Sequence, residues 1–519
     1  MTAAGRPFSV SGRAQNLADL ADRPVDVLVV GGGITGAGIA HGAAMRGYTV
    51  GLLEARDFAS GTSSRSSKLV HGGIRYLGQG EVGLVHEALQ ERRRLAETFP
   101  DLVRPLPFLM PIPRSWPTAA SLAAGFWMYD GLALGSRFPR HRRVSAATAV
   151  ELAPALPRAK LRGAWKYWDA QTDDAALTVE VLRRAHARGA LVANYVKVER
   201  AQRDGDGWRV DAVDTESGER FTARARHLVN AGGVWADAIE SLAGESEVTH
   251  LRPSKGVHVA FARPDLPINV ALIFPIGGGR VLFAIPWHGH VIVGTTDDDY
   301  GGSIDAPACT DDEAATMLDA VNRYFDLSLG PAALRSRWAG VRPLVAPREG
   351  GQKTKDLSRK PFIHLDANGL LTVTGGKLTT FMRMADDALK LLPPATGGSA
   401  GPDGAHPARV PAAEGDAGSA TVLSEAAGYR LADVARAVEE EMALHLEDAL
   451  SRRLRLSFLD TEAAASAAPA AAAEMAARLG WPETGAEVVR YEALLEREFG
   501  WTRPAGLAKP VQTQAAAPD

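Results

Sequence analysis

VDVLVVGGGITGAGIAHGAAMRGYTVGLLE, residues 25–54, is the stretch that decides the fold. It starts with an apolar run typical of a buried parallel strand, turns at the glycines of residues 31–36, continues as an alanine-rich helix, and ends in a second apolar strand closed by Glu54. Small residues let a backbone approach a pyrophosphate at a helix N-terminus, and an acid after the second strand accepts hydrogen bonds from ribose hydroxyls. The stretch therefore predicts a βαβ dinucleotide-binding unit, but it does not separate NAD from FAD.

Two distant glycine-containing segments favour FAD. Residues 228–233 (LVNAGG) predict an apolar strand that ends in small residues and can pass close to a nucleotide. Residues 375–380 (GGKLTT) predict a strand-to-helix turn, where the helix N-terminus and Lys377 would stabilise negative charge at the N1/C2=O edge of a reduced flavin. An ordinary helix start is the competing interpretation of this second segment.

Composition limits the class of protein. A chain of 519 residues with 46% hydrophobic content can bury a large core, and its net charge of −3 gives no global field that would attract nucleic acid. A lone cysteine, Cys309, and an N-terminus without an apolar signal-peptide core predict a cytoplasmic protein. No apolar run reaches the roughly 18 residues of a membrane-spanning helix, and no His or Cys spacing predicts a metal site.

Composition also divides the chain. We predict an N-terminal tail (1–23), a large β-rich region (24–392), a Pro/Gly/Ala-rich linker (393–420), a helical C-terminal domain (421–505) and a second tail (506–519). Within the C-terminal domain, Pro469 and Pro482 are expected to separate helices.

Five motifs, in chain order, resemble the FAD-dependent glycerol-3-phosphate dehydrogenases of the aerobic, quinone-linked type. They are GGGITG (31–36), TSSRSSKL (62–69), HGGIRYL (71–77), GVRPL (340–344) and GGKLTT (375–380). The resemblance runs from about residue 24 to 390 and extends into the C-terminal domain; GTTD (294–297) also resembles the family and is interpreted as substrate-lobe structure.

The resemblance implies a mixed α/β fold with two lobes and a C-terminal helical domain. A Rossmann-like FAD lobe would take residues 24–100, 165–245 and 340–392, and an antiparallel-sheet substrate lobe residues 101–164 and 246–339. The implied reaction oxidises sn-glycerol 3-phosphate to dihydroxyacetone phosphate by hydride transfer from C2 to FAD N5, with electrons passed to a membrane quinone. An oxygen-using oxidase is the first alternative, because quinone and oxygen users share the alcohol-oxidising half of such a site.

Three features together assign a set of residues to FAD. They are the dinucleotide fingerprint (residues 31–36 with Glu54), the hydroxyl-rich stretch (residues 62–67) and the family resemblance. The assigned residues are Gly31, Gly33, Ile34, Thr35, Gly36, Glu54, Thr62, Ser63, Ser64, Ser67, Leu69, His71, Gly72, Gly73, Ala231, Gly232, Gly375, Gly376, Lys377, Leu378 and Thr379.

Alcohol oxidation needs a base for the hydroxyl proton, and neutral histidine suits that role because its pKa lies near working pH. His71 and His258 are the candidates, with His71 preferred by a narrow margin and a structural histidine as the competing interpretation of either. Arg342 and Lys377 complete the predicted catalytic set.

A phosphorylated substrate calls for paired cationic donors, among which arginine is favoured for its planar fork. Arg75, Arg342 and Arg359 are predicted to bind the phosphate, and Tyr76 to hydrogen-bond the substrate. An amine or amino-acid oxidase of similar plan would need only one or two such cations. A flavoprotein that binds RNA would need a basic face interleaved with aromatics, and only residues 127–143 resemble one.

A membrane contact is the remaining hypothesis. Residues 121–135 contain Leu122, Phe126, Trp127, Met128 and Leu132 and are followed by Arg137, Arg140, Arg142 and Arg143, which together are typical of a peripheral contact with an anionic leaflet. A core helix with a solvated basic end is the preferred interpretation. A homo-oligomer stays among the predicted partners. Covalent attachment of FAD through Cys309 is not expected, and attachment through a histidine is the alternative to a non-covalent cofactor.

Overall fold

The structure is a computed structural model that describes residues 6–112, 116–135, 137–244, 251–277, 280–346, 360–395 and 421–503. Its strands are β1 (Val25–Val30), β2 (Val50–Leu53), β3 (Leu69–Val70), β4 (Arg104–Pro111), β5 (Arg142–Val144), β6 (Ala164–Gln171), β7 (Leu191–Ala193), β8 (Val196–Asp204), β9 (Gly207–Asp214), β10 (Arg220–Asn230), β11 (Leu251–Ala262), β12 (Ala271–Gly277), β13 (Arg280–Trp287), β14 (His290–Gly294), β15 (Asp298–Asp299), β16 (Leu334–Val345), β17 (Pro361–Leu365), β18 (Leu370–Gly375), β19 (Val422–Ser424) and β20 (Tyr429–Arg430).

Its α-helices are α1 (Val10–Asp22), α2 (Ile34–Met45), α3 (Val82–Thr98), α4 (Trp116–Leu132), α5 (Ala146–Leu152), α6 (Asp174–Ala187), α7 (Ala236–Leu242), α8 (Asp311–Phe325), α9 (Phe381–Leu389), α10 (Leu431–Glu441), α11 (Leu456–Leu459), α12 (Thr461–Leu479) and α13 (Gly485–Phe499). A π-helical turn, Asp448–Arg453, precedes α11.

Two sheets carry the site. In the first, β18, β10, β1, β2 and β7 are parallel neighbours in that order, with β17 antiparallel at one edge and β8 and β9 attached through β10. Because β1 is buried on both faces by α2 and by the β8–β9 side, its sequence is apolar except for the half-buried Asp26. The second, ten-stranded sheet is antiparallel except where β12 meets β4. The predicted mixed α/β class is confirmed.

The N-terminal segment was predicted as a tail and is instead largely helical. Ser9 caps α1 by accepting from the amide of Gly12, and Leu20 is buried on the first sheet. The Arg13 guanidinium forms a 2.6 Å ion pair with Asp214. Its polar composition predicted an unstructured tail. The partner of Arg13 lies about 200 positions away in sequence, so only the tertiary structure shows the contact that holds the segment.

Two further boundaries differ from the predictions. Strands β3, β6 and β16 belong to the second sheet, although residues 69–70, most of 164–171 and 340–345 fell in the predicted FAD lobe. Pro469 lies inside α12 and does not end a helix. An isolated proline costs one helical hydrogen bond, and the buried alanines of α12 around it offset that loss. Most of the predicted linker and all of the tail 506–519 lie outside the described residues.

The C-terminal helices pack their apolar core on the second sheet and are tied to the first by buried ion pairs. Asp57, which follows β2, is fully buried and receives Arg452 at 2.6 Å and Arg453 at 2.7 Å. Burial opposes its ionisation, but the two guanidinium groups outweigh burial and lower the pKa of Asp57 to about 2. The domain is thus fastened directly behind the loop that follows the dinucleotide fingerprint.

A histidine adds a pH-dependent link at the same junction. His445 contacts Glu216 at 3.0 Å and Glu487 at 3.2 Å, and these hydrogen bonds outweigh burial and raise the pKa of His445 to about 9. A pKa above the unfolded value of about 6.5 means that this stabilisation is complete below about pH 6.5 and is lost as pH rises through about 9.

We expect His445→Gln to lose stability at pH 6 but not at pH 9.5, so that the wild type loses about 2 kcal/mol more than the variant across that range. Urea unfolding of both proteins at the two pH values measures the difference. Equal pH dependence in the two proteins would show that His445 carries no charge-dependent stabilisation.

Candidate active site

A cavity of about 1910 Å³ lies between the two sheets. It is lined from the first sheet by the fingerprint turn and from the second by β11, β13 and β16, with the turn after β18 closing one side. The residues predicted for FAD line it together, except for Gly36, Ser64 and Gly72. Arg75 lies in the short 3-10 helix Ile74–Gln79, with its side chain outside the described part of the structure, and Arg359 lies outside the described residues.

The fingerprint turn is tightly built. A Cβ on Gly36 would lie 1.9 Å from the carbonyl oxygen of Gly31, so the turn tolerates no side chain there. The N-cap of α2 is Gly33, whose lack of a side chain leaves room for a phosphate at the helix N-terminus. Glu54 accepts from the amide of Gly32 at 2.6 Å and from the amide of Arg56 at 2.9 Å, so its carboxylate is held at the cavity wall, and burial raises its pKa.

The hydroxyl-rich stretch is divided between the cavity and the interior. Ser63 Oγ accepts from the amide of Ile34 at 2.9 Å, and Thr62 Oγ1 donates to the Val341 carbonyl at 2.6 Å. Ser64 differs from its prediction as an FAD contact. Its side chain is buried away from the cavity, and its carbonyl accepts from two buried cations. Successive side chains of this 3-10 turn, Thr62–Ser64, point about 120° apart, so composition alone could not tell which of them faces the cavity.

His258, on β11 of the second sheet, lines the cavity. Its Nε2 lies 2.8 Å from Ser67 Oγ, its ring stacks on Trp338 with centroids 5.2 Å apart, and among the described residues its Nδ1 has no hydrogen-bond partner. Burial first, then the charges of Lys68 and Arg342, lower the pKa of His258 to about 3. The imidazole is therefore neutral at ordinary pH.

Arg342 is held beside it by the segment 294–297. Its Nη2 donates to Thr295 Oγ1 at 2.9 Å and to the Thr296 carbonyl at 3.0 Å, and Nη1 lies 3.3 Å from Asp297. Sequence reasoning gave this segment only a structural role. The family resemblance of GTTD was the one signal that could have pointed to its contact with Arg342.

His71, Tyr76 and Lys377 form a second group on the cavity wall. Lys377 Nζ lies 4.2 Å from the ring centroid of Tyr76, and the His71 ring lies 6.4 Å from that of Phe283. The turn after His71 is anchored because the amide of Gly72 donates to the buried Asp169 at 2.9 Å. Asp169 also lines the cavity and was missed by sequence reasoning, since it stands in no motif.

The described residues contain no group of three or more His, Cys, Asp or Glu that could hold a metal ion. Cys309 does not line the cavity, and burial raises the pKa of its thiol to about 12.

Comparison with known proteins agrees with this geometry. Residues 26–382 match the family model of FAD dependent oxidoreductases, and residues 404–486 match that of the C-terminal domain of alpha-glycerophosphate oxidase. "Glycerol-3-phosphate dehydrogenase 2" of Mycobacterium bovis is 37% identical over 95% of this chain and 92% of its own, and the aerobic glycerol-3-phosphate dehydrogenase of Staphylococcus saprophyticus is 38% identical over 73% and 69%.

Among solved structures, the glycerol-3-phosphate dehydrogenase of Bacillus halodurans complexed with FAD superimposes with a TM-score of 0.70 at 27% identity, covering 95% of this chain and 98% of that one. The FAD-bound L-alpha-glycerophosphate oxidase of Mycoplasma pneumoniae, at 17% identity and a TM-score of 0.56, shares the fold.

Fold, cavity and family model together define an FAD-dependent oxidoreductase, which confirms the preference for FAD over NAD. Within that class, the chain belongs to the glycerol-3-phosphate dehydrogenase family.

Proposed function

We propose that the protein oxidises sn-glycerol 3-phosphate to dihydroxyacetone phosphate and passes the electrons to a membrane quinone. The observation that carries the first half is a neutral histidine, His258, beside a fixed arginine, Arg342, in the cavity built on the dinucleotide turn. Bound FAD supplies the hydride acceptor. The relatives' names support the substrate.

We assign the proton-accepting role to His258 in preference to His71. A base must be unprotonated and oriented, and His258 meets both requirements through its depressed pKa and the Ser67 hydroxyl at Nε2. A substrate dianion near Arg342 would offset part of the positive charge that lowers this pKa and so raise the basicity of the ring. His71 is assigned a place against the cofactor.

The phosphate would be bound by Arg342, together with Arg75 and Arg359 as predicted from sequence. Arg342 lines the cavity, and Thr295 and Thr296 hold its guanidinium in one orientation, so little side-chain entropy is lost on binding. Tyr76 and Lys377 line the same cavity and complete the proposed pocket.

Arg342→Lys should lower kcat/KM for glycerol 3-phosphate by about 100-fold, because a point charge cannot reproduce the planar fork. Steady-state kinetics with a dye acceptor measures this. Arg337→Lys on the same strand, whose side chain pairs with Asp311 and does not line the cavity, is the matched control. Comparable losses of kcat/KM in both variants would show that Arg342 does not bind the phosphate.

A membrane quinone is proposed as the electron acceptor because helix α4 contributes apolar side chains both to the cavity and to the protein surface. Leu122 and Met128 of α4 line the cavity, and on the same helix Trp127 is 67% exposed and Met128 itself 45% exposed. Leu134 just beyond is 68% exposed, and the four nearby arginines are exposed as well. This exposure favours the membrane contact over the core helix preferred from sequence. In the described part of the chain, no helix is long and apolar enough to span a bilayer.

Replacement of Arg137, Arg140, Arg142 and Arg143 by Ala should reduce co-sedimentation with vesicles containing phosphatidylserine at least tenfold, at about 1 kcal/mol per cation. The control replaces Arg209 and Arg220, which are exposed on the opposite lobe. Sedimentation that is equal in the wild type and the four-residue variant would argue against this surface.

Anaerobic addition of glycerol 3-phosphate to the purified holoenzyme tests the function itself. We expect the oxidised flavin absorbance to bleach and to return faster with a soluble quinone analogue than with air. No bleaching would overturn the substrate, and faster recovery in air would favour the oxidase alternative.

A further inference from the structure

A buried ion cluster lies immediately behind the Ser67–His258 pair. Its members, Lys68, Asp174 and Arg455, have fully buried side chains. Lys68 Nζ donates to both Asp174 carboxylate oxygens at 2.9 Å and to the Ser64 carbonyl at 2.6 Å. Arg455 Nη2 donates to the same carbonyl at 2.6 Å and to Asp174 at 3.1 Å. The cluster is therefore closed, with two cations sharing one carboxylate and one carbonyl.

The cluster fixes an unfavourable backbone conformation next to Ser67. Lys68 has a φ of +60°, which costs free energy in a residue other than glycine and persists only where the surroundings hold it. Here Lys68 is held at its amide by Ser66 Oγ, at its carbonyl by the amide of Thr172, and at its ammonium by Asp174. Since Ser67 is the adjoining residue, these bonds also place its hydroxyl against His258.

The cluster also places the positive charge of Lys68 near the imidazole of His258. The positive charges of Lys68 and Arg455 are balanced by Asp174 and by Asp173, which lies 3.6 Å from Arg455 Nε. Burial, followed by the charge of Arg455, lowers the pKa of Lys68 to about 7, so its ammonium is charged in the acid range where His258 would protonate. The ammonium of Lys68 and the guanidinium of Arg342 both lower the pKa of His258, while Asp174 raises it. Lys68 and Arg455 also lie over the aromatic rings of Trp287 and Phe458, and Arg455 donates to the Ser451 carbonyl at 3.2 Å.

We propose that Lys68 is a positioning residue that orients Ser67 and keeps His258 unprotonated, and that the C-terminal domain takes part in substrate oxidation by supplying Arg455 to this cluster. The proposal rests on the function proposed above. It gives the C-terminal domain a role in the chemistry although Arg455 itself does not line the cavity.

The pH dependence of anaerobic flavin bleaching by glycerol 3-phosphate tests the proposal on holoenzymes of equal flavin content. Lys68→Met removes a positive charge near His258, so the acid limb of the bleaching rate should move to higher pH by about one unit. Lys68→Arg keeps the charge and should return the limb to the wild-type position. Arg455→Met should slow bleaching roughly tenfold at all pH values, because the Ser64 carbonyl loses one of its two tethers.

Arg453→Met is the matched control. Arg453 is equally buried in the adjoining turn, but it pairs with Asp57 and not with Asp174. An acid limb that coincides in the wild type, Lys68→Met and Arg453→Met would overturn the role of Lys68. If Lys68→Met retains no flavin, the test rests on Arg455→Met. Bleaching of that variant at the wild-type rate would show that the C-terminal domain has no role in substrate oxidation. Absence of bleaching in the wild type itself would instead overturn the function proposed above, so the two failures are distinguishable.

Discussion

Replacement of His258 by Gln should slow anaerobic flavin bleaching by glycerol 3-phosphate by a factor of about 10² to 10⁴, the range expected for loss of a general base. Glutamine keeps a polar group near Ser67 Oγ, but it cannot accept a proton at the pH of the reaction. The flavin content should stay near that of the wild type, because His258 lies on the second sheet and not on the dinucleotide turn. Stopped-flow absorbance measures the rate.

His71→Gln is the matched variant, since His71 lines the same cavity and was the preferred base from sequence alone. We expect it to change the flavin spectrum and to slow bleaching less than His258→Gln. Ser67→Ala should give a smaller loss, because it removes only the hydroxyl that orients the ring. A larger loss in His71→Gln than in His258→Gln would reverse the assignment of the base.

The second large effect concerns the dinucleotide turn. Gly36→Ala should yield a protein purified with little or no FAD. The new methyl carbon would lie 1.9 Å from the Gly31 carbonyl oxygen and 3.3 Å from Ala231 Cβ, so the backbone at the start of α2 would have to move. Helix N-terminal amides bind a pyrophosphate only when they point at it, and a shift of this kind removes that alignment. The ratio of flavin to protein absorbance measures the outcome.

Gly83→Ala serves as the control, because Gly83 lies in α3 with nothing within 4 Å of the added carbon. This variant should retain its flavin and gain roughly 0.5 to 1 kcal/mol of stability from the higher helix propensity of alanine. Full flavin occupancy in Gly36→Ala would mean that the turn relaxes without disturbing the cofactor site.

Some candidate site residues were predictable from sequence because their signal is local. Short sequence spacings identify the glycine turn of residues 31–36, Glu54 and the GGKLTT turn. The structure brings these segments to one cavity. Other contacts had no local signal. Thr295 and Thr296 hold Arg342 across about 45 residues, and Asp214 binds Arg13 across about 200. Ser64 and Ser67 look alike in sequence, and only the direction of each side chain separates them.

A βαβ dinucleotide unit with a flavin, and the resemblance to the glycerol-3-phosphate dehydrogenases, could be recognised from the amino-acid sequence alone. Strand periodicity, glycine spacing and the closing acid depend on residues that are neighbours along the chain. The tertiary structure decided which histidine is neutral and hydrogen-bonded to Ser67, and how Arg453 and Arg455 of the C-terminal domain reach Asp57 and Asp174. Burial and charge pairing act between residues that are distant in sequence, so they exist only once the chain has folded.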